Sequence, residues 1–426
     1  MKLTVNKTEK LEGEIVIPGS KSHTIRAVVF ASLAEGASKI KNPLESADTM
    51  AAVGACRELG ANINTDNKEE WVVEGFAHAP KNPGKVLDCM NSGTSTNLVA
   101  GIVAALCDFE VEIDGDDSLR TRPMQPLLRS FNELGAEAWS MNNNGNPPIK
   151  IKGKMLGGKT KISGINSQYV SSLLIACSLL EEDSEIEVHD AKELPYVRMT
   201  LKWLDELGIK YKANETLTHF KVQGRQRYKP FEKTVAADWS SAAFPLVGAA
   251  MTNSNVLLKG LDINDVQGDK AIIDYLKKMG ADVSFEKEGI RIKGRQLKGC
   301  ELDLSDTPDA LPALSVLGAF AQGTTTLVNV AQARIKETDR IKVMREELSK
   351  LGVDIKEREE GLIIHHSPLK GNKVRGHADH RIVMALSLAG LVADGKTEIT
   401  TAESVSVTYP TFVESMKKIG AQFELK

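Results

Sequence analysis

The sequence predicts an α/β protein built from six copies of one unit, each roughly 70 residues long. A short phrase that ends in an apolar residue and glycine recurs along the chain and closes an amphipathic helix each time. Glycine suits the left-handed position that follows a helix. Between these phrases, a helix of small apolar residues precedes a polar turn and a β-branched strand, as in residues 317–328. The glycines of the six phrases are Gly60, Gly135, Gly208, Gly280, Gly352 and Gly420.

The number of units predicts the domain organisation. A chain of 426 residues is too long for one ordinary core, so six units most simply form two groups of three. Residues 231–235 lie near the midpoint and make a natural hinge. The helices that consist of small apolar residues are expected to be buried on all sides.

Composition excludes several classes of partner. The net charge is -3, with 54 basic and 57 acidic residues, so bulk charge favours neither nucleic acid nor a membrane surface. No apolar run has the length of a membrane span, and the N-terminus lacks a signal-peptide core. The five scattered cysteines indicate thiols in a reducing compartment, so we expect a cytoplasmic protein. The histidines show no metal-ligand spacing, and no metal site is expected.

The stretch at residues 19–26 is the first candidate site. An extended run ends at Gly19, Ser20 is placed to cap a helix, and Lys21, Ser22 and Arg26 fall in its first two turns. Cations there oppose the helix dipole unless an anion docks, which predicts a phosphate or carboxylate site. A solvated basic helix start is the alternative.

Similar junctions follow in the first half. Gly93 stands before an apolar helix, where its lack of a side chain lets a ligand approach the backbone. Arg122 lies beside Pro123, which we expect to start a helix. Residues 166–168 are neutral and rich in hydrogen-bonding groups, which suits the hydroxyls of a ring or sugar. Ordinary caps and a solvated loop are the alternatives.

The second half carries the densest charge. Asp309 precedes a buried helix and is either an N-cap or a base whose pKa is raised by burial. The spacing of Lys336 and Arg340 predicts one shared helical face, with Glu337 turned about a hundred degrees away. Arg381 stands at another helix start. A solvated helix face is the alternative for 336–340.

The basic residues recur at strand-to-helix junctions in both halves. If the halves close on each other, at least six cations would meet in one cleft, with carboxylates among them. Such a cleft fits two anionic substrates and acid–base chemistry. Unrelated helix caps are the weaker alternative. The six cations are Lys21, Arg26, Arg122, Lys336, Arg340 and Arg381.

With these pieces in order, the chain resembles the 5-enolpyruvylshikimate-3-phosphate synthase family along essentially its whole length. The resemblance implies an inside-out α/β barrel of two domains, each with three βαβαββ repeats. It places the first domain at residues 20–235, and the second at residues 1–19 and 236–426. The matching motifs are residues 18–22 with Arg26, 91–94, 122–123, 167–168, 195–196, 308–310, 336–340 and 379–381.

The resemblance also implies an activity. The family moves the enolpyruvyl group of phosphoenolpyruvate to the 5-hydroxyl of shikimate 3-phosphate and releases phosphate, in chorismate and aromatic amino acid biosynthesis. It uses no metal and no organic cofactor, and its domains close on the substrates in the cleft between them. We expect a monomer whose only partners are these two substrates.

The resemblance assigns roles to those residues of this chain that match the motifs of the family. The resemblance implies catalytic roles for Lys21, Asp309 and Glu337. The residues implied to bind shikimate 3-phosphate are Lys21, Ser22, Arg26, Asn166, Ser167, Gln168, Asp309, Gln332 and Lys336. Those implied to bind phosphoenolpyruvate are Lys21, Gly93, Arg122, Gln168, Arg340 and Arg381.

Two departures from the family keep other functions open. Asn97 and Val407 stand where the family commonly has cations, which weakens the expected phosphoenolpyruvate site. One alternative is a related enolpyruvyl transferase with another acceptor, such as UDP-N-acetylglucosamine. That enzyme relies on a cysteine in the loop that corresponds to residues 114–122, where this chain has none. The other alternative is a non-catalytic anion-binding protein.

Overall fold

The computed structural model describes all 426 residues. By its internal contacts the chain divides into two compact units. We call Gly19–Val235 the N-terminal unit, and Met1–Pro18 together with Ala236–Lys426 the C-terminal unit. The chain therefore passes from one unit to the other twice, after residue 18 and after residue 235.

Short strands alternate with helices throughout. Up to residue 235 the elements are β1 (Lys2–Val5), β2 (Glu12–Val16), α1 (Lys21–Leu33), β3 (Ala37–Lys41), α2 (Ala47–Glu58), β4 (Asn62–Asn64), β5 (Glu70–Glu74), β6 (Leu87–Asp88), α3 (Gly93–Leu106), β7 (Val111–Asp114), α4 (Gln125–Glu133), β8 (Glu137–Ser140), β9 (Ile149–Lys152), β10 (Gly158–Ser163), α5 (Ser167–Cys177), β11 (Ser184–His189), α6 (Leu194–Glu206), β12 (Tyr211–Ala213), β13 (His219–Val222) and β14 (Glu232–Thr234).

The remaining elements repeat the same alternation. They are α7 (Trp239–Met251), β15 (Asn255–Lys259), α8 (Ile272–Lys278), β16 (Asp282–Glu286), β17 (Gly289–Lys293), β18 (Glu301–Asp303), α9 (Leu311–Phe320), β19 (Thr324–Val328), α10 (Arg340–Lys350), β20 (Ile355–Arg358), β21 (Gly361–His365), β22 (Lys373–Arg375), α11 (His380–Val392), β23 (Thr397–Thr400), α12 (Phe412–Lys418) and β24 (Phe423–Leu425). Short 3₁₀ turns interrupt them at Leu119–Thr121, Gly268–Ala271, Pro308–Ala310, Ala331–Ile335 and Ala402–Val407.

Six four-stranded sheets share one topology. In each sheet an edge strand runs parallel to its neighbour, and the other two strands are antiparallel to theirs. A parallel pair needs a crossover, which the helix between the two strands supplies in four of the sheets. The prediction of six repeats is confirmed. The strand orders are β14-β3-β5-β4, β6-β7-β9-β8, β10-β11-β13-β12, β2-β15-β17-β16, β18-β19-β21-β20 and β22-β23-β1-β24.

Three sheets are completed by strands from distant parts of the chain. β14 supplies the parallel edge strand beside β3 in the N-terminal unit, and β2 supplies the one beside β15 in the C-terminal unit. β1 lies between β23 and β24, so the first strand of the chain is interior to a sheet built from the last residues. Each crossing between units therefore runs from an edge strand of one unit into a helix of the other.

The core of each unit is a set of small-residue helices. In α3 every residue is buried, and α7 is likewise buried along its whole length. In the C-terminal unit α7, α9 and α11 pack on one another, and in the N-terminal unit α3 packs on both α1 and α5. Alanine and glycine allow this close approach, as the sequence predicts.

The predicted glycine ends of the other helices are confirmed. All six glycines of the recurring phrase have positive φ, from 74° at Gly208 to 112° at Gly135. Each lies one residue beyond the helix cap, where the chain turns into the next strand. The central helices α1, α3, α5 and α11 carry Lys21, Gly93, Ser167 and Arg381 in their first turns.

Candidate functional site

Most candidate residues of the N-terminal unit lie at the first turns of α1, α3 and α5, while Arg26 lies in the second turn of α1 and Arg122 precedes α4. These helices are capped by the side chains of Ser20, Ser92 and Asn166, which accept from backbone N–H groups. All three caps are neutral, so the positive end of each helix dipole is not compensated by its cap. We call Lys21, Ser22, Arg26, Gly93, Arg122, Asn166, Ser167 and Gln168 the N-terminal cluster.

Lys21 has a buried carboxylate partner. Its Nζ lies 2.9 Å from Oδ2 of Asp48, whose side chain is 3% exposed. Asp48 lies in the first turn of α2, and its carbonyl oxygen accepts a hydrogen bond from Ser95 Oγ at the start of α3. A second helix therefore supplies a negative partner for Lys21 from within the protein, so the conflict with the helix dipole does not by itself require a bound anion at Lys21. Nothing in the sequence distinguishes Asp48, since an acid in the first turn of a helix is also an ordinary dipole partner.

Arg26 is the uncompensated cation of this cluster. It is 2% exposed, and its guanidinium donates to Thr200 Oγ1 at 2.9 Å, Ser171 Oγ at 3.3 Å and two backbone carbonyls, including that of Ser22. All these acceptors are neutral. Burial lowers the pKa of Arg26 to about 10, so it stays protonated at neutral pH. A buried charge with neutral partners is costly, and an anion that docks beside it removes that cost.

Gly93 and Arg122 define a second point of close approach. A Cβ on Gly93 would lie 2.9 Å from Arg122 Nη1, so a larger residue there would displace the guanidinium from its present position. Arg122 Nη2 donates to Asn91 Oδ1 at 2.7 Å. The prediction that Pro123 starts a helix is wrong, because α4 begins at Gln125 and its first turn contains the next proline instead. Arg122 therefore lies on the loop before the helix.

Hydrogen bonds tie α3 to α5 at their first turns. Gln168 Nε2 donates to Thr94 Oγ1 at 3.0 Å, and Gln168 Oε1 accepts from Asn97 Nδ2 at 2.9 Å. Ser167 Oγ donates to the buried carboxylate of Glu193 at 2.8 Å. Asn97 orients Gln168 through its hydrogen bond to Oε1. In the family that the chain resembles, an arginine is common at this position.

The candidate residues of the C-terminal unit gather around Arg340. Its guanidinium, 1% exposed, contacts three carboxylates at once: Asp379 from Nε at 2.8 Å, Asp309 from Nη1 at 2.7 Å and Glu337 from Nη2 at 2.6 Å. Arg381 Nη2 lies 3.2 Å from the other oxygen of Asp309. We call Asp309, Gln332, Lys336, Glu337, Arg340, Asp379 and Arg381 the C-terminal cluster.

The charges of this cluster balance, since its three cations face three carboxylates. Arginine is suited to the centre because its planar fork presents five N–H donors in fixed directions. The carboxylates hold the pKa of Arg340 above its usual range, against the opposing effect of burial. An entering anion would have to compete with these carboxylates for the guanidinium groups.

Asp379 joins two parts of the cluster. Its side chain is fully buried, caps α11 by accepting from the backbone N–H of Arg381 at 2.9 Å, and accepts from Arg340 Nε. Thr338 Oγ1 donates to it at 3.2 Å. One carboxylate thus orients the side chain of Arg340 and the backbone of Arg381. The sequence motif contains Asp379, but a helix cap was sufficient to account for an aspartate at that position.

The position of Asp309 in the fold and the direction of its pKa shift both differ from the prediction. It lies in the 3₁₀ turn Pro308–Ala310 and caps no helix. Burial does push its pKa up, as expected, but Arg381, Lys336 and Arg340 outweigh burial and hold the pKa well below its usual range. The predicted upward shift is therefore wrong, because the sequence could not show that three cations surround the carboxylate. Asp309 is ionised at neutral pH.

The segment before α10 also differs from its prediction. Lys336 ends the 3₁₀ turn Ala331–Ile335 in extended geometry, and α10 begins only at Arg340, so the two share no helical face. Glu337 is not turned away, since it accepts from Arg340 Nη2. Gln332 is buried and donates to the carbonyl of Ser305, which supports the loop that leads to Asp309.

His380 should make stability depend on pH. It is 1% exposed, and burial lowers its pKa to about 3 despite the nearby Asp379 and Glu337. An unfolded histidine has a pKa of about 6.5, so between these values the unfolded chain binds one more proton than the folded chain. The free energy of unfolding therefore falls as the pH falls below about 6.5. We expect a loss of about 2 kcal/mol from this group between pH 7 and pH 5.

The measurement is urea unfolding of the wild type and His380→Asn at both pH values. The variant lacks the titrating ring, so its loss on acidification should be smaller by about that amount. Equal losses in the two proteins would contradict the prediction.

Two classes of feature are absent from the structure. No group of three or more histidine, cysteine, aspartate and glutamate side chains could hold a metal ion. No helix is both long and apolar enough to cross a membrane.

The fold and the two clusters define an α/β protein of six repeats, with buried arginines in both units and ionised carboxylates around Arg340. Comparison with known proteins names the family: its profile, EPSP synthase (3-phosphoshikimate 1-carboxyvinyltransferase), matches residues 5–416. The chain belongs to the EPSP synthase family. The fold agrees, since the EPSP synthase of Acinetobacter baumannii has a TM-score of 0.83 at 30% identity and covers 99% of both chains.

Relatives of full length carry the same description. The 3-phosphoshikimate 1-carboxyvinyltransferase of Acetivibrio thermocellus is 51% identical over 422 residues, which is 99% of both chains. That of Methanocaldococcus jannaschii is 43% identical over 430 residues and covers 100% of this chain. The similarity therefore extends over both units, and the predicted family and fold class are confirmed.

Proposed function

We propose that this protein transfers the enolpyruvyl group of phosphoenolpyruvate to the 5-hydroxyl of shikimate 3-phosphate and releases phosphate. The observation that carries the proposal is the sequence identity of 51% and 48%, over nearly the full length, to two proteins named 3-phosphoshikimate 1-carboxyvinyltransferase. Both clusters suit such substrates, which carry one carboxylate and one phosphate each. We propose that Gly19–Val235 and the remainder of the chain are the two enolpyruvyl-transferase domains.

The N-terminal cluster supplies the proposed shikimate 3-phosphate site. Arg26 offers a buried positive charge whose protein partners are all neutral, and the start of α5 offers Ser167 and Gln168 as hydrogen-bonding groups. A phosphate is matched by a guanidinium and by the positive end of a helix dipole. We propose that Ser22, Arg26 and residues 166–168 hold this substrate, with Gln332 and Lys336.

Phosphoenolpyruvate is proposed to bind the arginines. The absence of a Cβ on Gly93 lets the guanidinium of Arg122 lie against the start of α3, and we propose that the phosphate binds this guanidinium. Arg340 and Arg381 would receive the carboxylate. In the structure both arginines already hold Asp309, so the substrate carboxylate competes with that residue.

This competition suits the proposed role of Asp309 as the base. While the arginines hold it, Asp309 has a low affinity for protons. When the substrate carboxylate takes up part of their charge, the affinity of Asp309 for a proton rises, and the 5-hydroxyl can give up its proton to it.

The reaction then proceeds through a tetrahedral ketal. The methylene carbon of phosphoenolpyruvate accepts a proton while the 5-oxygen forms a bond to the neighbouring carbon. Loss of a proton from the resulting methyl group and cleavage of the carbon–oxygen bond to phosphate complete the transfer. We propose that Glu337 and Lys21 handle these protons, with Lys21 beside the leaving phosphate.

Release of phosphate tests the proposal. The enzyme is mixed with phosphoenolpyruvate in EDTA-containing buffer, because no metal is proposed to take part. Shikimate 3-phosphate, UDP-N-acetylglucosamine or no acceptor is then added. We expect phosphate, and an enolpyruvyl ether by mass spectrometry, only with shikimate 3-phosphate. Phosphate release with the nucleotide sugar would favour the related transferase, and no release with any acceptor would favour an anion-binding protein.

A further inference from the structure

The segment that joins β22 to α11 carries two members of the C-terminal cluster. Asp379 and Arg381 both follow a turn in which His377 and Ala378 each have a φ of 54°. Residues other than glycine adopt this left-handed conformation at a cost, so neighbouring structure must hold the turn in place. The positions of both cluster members therefore depend on what fixes residues 375–378.

Glu347 holds this turn from α10. Its side chain is 1% exposed, although the proposed chemistry does not use it. Oε2 accepts from the backbone N–H of Arg375 at 2.9 Å, and Oε1 lies 2.7 Å from His377 Nε2. Lys350 Nζ lies 2.8 Å from both carboxylate oxygens. These hydrogen bonds lower the pKa of Glu347 to about 2, against the upward effect of burial, so the group is charged.

Helix α10 therefore contacts the segment between β22 and α11 at two points. Glu347 lies seven residues after Arg340, which is two helical turns, so the two side chains leave one face of α10. Arg340 holds Asp379 at the end of the turn, while Glu347 holds Arg375 and His377 at its start. A third anchor comes from Thr401, whose Oγ1 accepts from the N–H of Ala378 at 3.0 Å.

We propose that Glu347, acting through His377, is a positioning residue for the two arginines that bind the carboxylate of phosphoenolpyruvate. This inference rests on the proposed function and adds a residue to the proposed site. Glu347 touches neither substrate. It fixes the turn whose displacement would move Arg381 directly and Arg340 through Asp379.

Steady-state kinetics of Glu347→Gln test this inference. The amide keeps the shape but loses the charge and one acceptor. We expect the KM for phosphoenolpyruvate to rise on the order of tenfold, because small misplacements of binding groups are costly. The KM for shikimate 3-phosphate should stay within about twofold, since Arg26 lies on α1 and Gln332 and Lys336 lie outside the turn that Glu347 holds. The matched control is Glu346→Gln, which alters the adjacent, partly exposed residue of α10 and should match the wild type.

A merely structural role predicts a different result. It would lower the thermal midpoint and the active fraction, and hence kcat, while both KM values stayed unchanged; that outcome would overturn the inference. His377→Gln, at a more exposed position, gives a second and milder variant. If both residues act through one contact, Glu347→Gln/His377→Gln should raise the KM no more than the larger single effect.

Calorimetry separates this inference from the proposed function. Titration of phosphoenolpyruvate into the wild type, Glu347→Gln and Glu346→Gln reports binding without turnover. Weaker binding in Glu347→Gln alone supports the positioning role even if no acceptor releases phosphate. Equal binding in all three proteins would refute it, whether or not the wild type is active.

Discussion

Asp309→Asn is expected to lower kcat by about 10²- to 10⁴-fold, the usual contribution of a general base. The amide is nearly the same size but cannot accept the proton of the 5-hydroxyl. Because Asp309 competes for Arg340 and Arg381, its removal should leave phosphoenolpyruvate binding unchanged or tighter. Phosphate release gives kcat, and isothermal titration calorimetry gives the dissociation constant.

The combination of lost turnover and retained binding is the distinctive outcome for Asp309. Asp354→Asn changes an exposed carboxylate of the same unit and serves as the control, with wild-type kinetics expected. Turnover of Asp309→Asn near the wild-type level would remove the residue from the mechanism. Lost turnover together with much weaker binding would indicate that the carboxylate organises the arginines instead of accepting a proton.

Arg340→Lys is expected to destabilise the C-terminal unit by on the order of 3 kcal/mol and to abolish measurable phosphoenolpyruvate binding. Lysine keeps the charge, but its single ammonium cannot reach Asp309, Glu337 and Asp379 in the directions that the guanidinium occupies. At least one buried carboxylate is then left without its partner. Hydrogen exchange during urea unfolding reports the stability of the C-terminal unit separately from that of the N-terminal unit.

A second arginine of the same helix provides the control. Arg345 lies on α10 at 37% side-chain exposure and pairs with surface glutamates, so Arg345→Lys should change stability by less than about 1 kcal/mol. Equal losses in the two variants would mean that the destabilisation comes from α10 itself. It would then not come from the buried cluster.

Regular features of the fold could be predicted from the sequence because they repeat. A glycine such as Gly60 or Gly352 ends a helix for a local reason, the left-handed backbone, and the same reason applies in all six copies. Strand pairing between distant segments has no such signature. Nothing local in residues 2–5 indicates that β1 pairs with β23 and β24.

In the candidate site, too, local features could be predicted from the sequence and contacts between distant segments could not. Ser20 and the first turn of α1 follow from local rules, and the prediction is confirmed there. The partners of Lys21 and Asp309 do not follow, because Asp48 and Arg381 come from other helices. The error about the pKa of Asp309 has this origin: burial can be predicted from a hydrophobic pattern, whereas the charges that a fold brings alongside cannot.

The placement of β1 also imposes an order on biosynthesis. As the polypeptide leaves the ribosome, residues 19–235 contain every strand that the N-terminal unit needs, so that half can complete its sheets early. β1 must wait for Thr397–Thr400 and Phe423–Leu425, its two neighbours, which are translated long after it. The C-terminal unit therefore completes this sheet only after Phe423–Leu425 have emerged, long after the N-terminal unit has all of its strands.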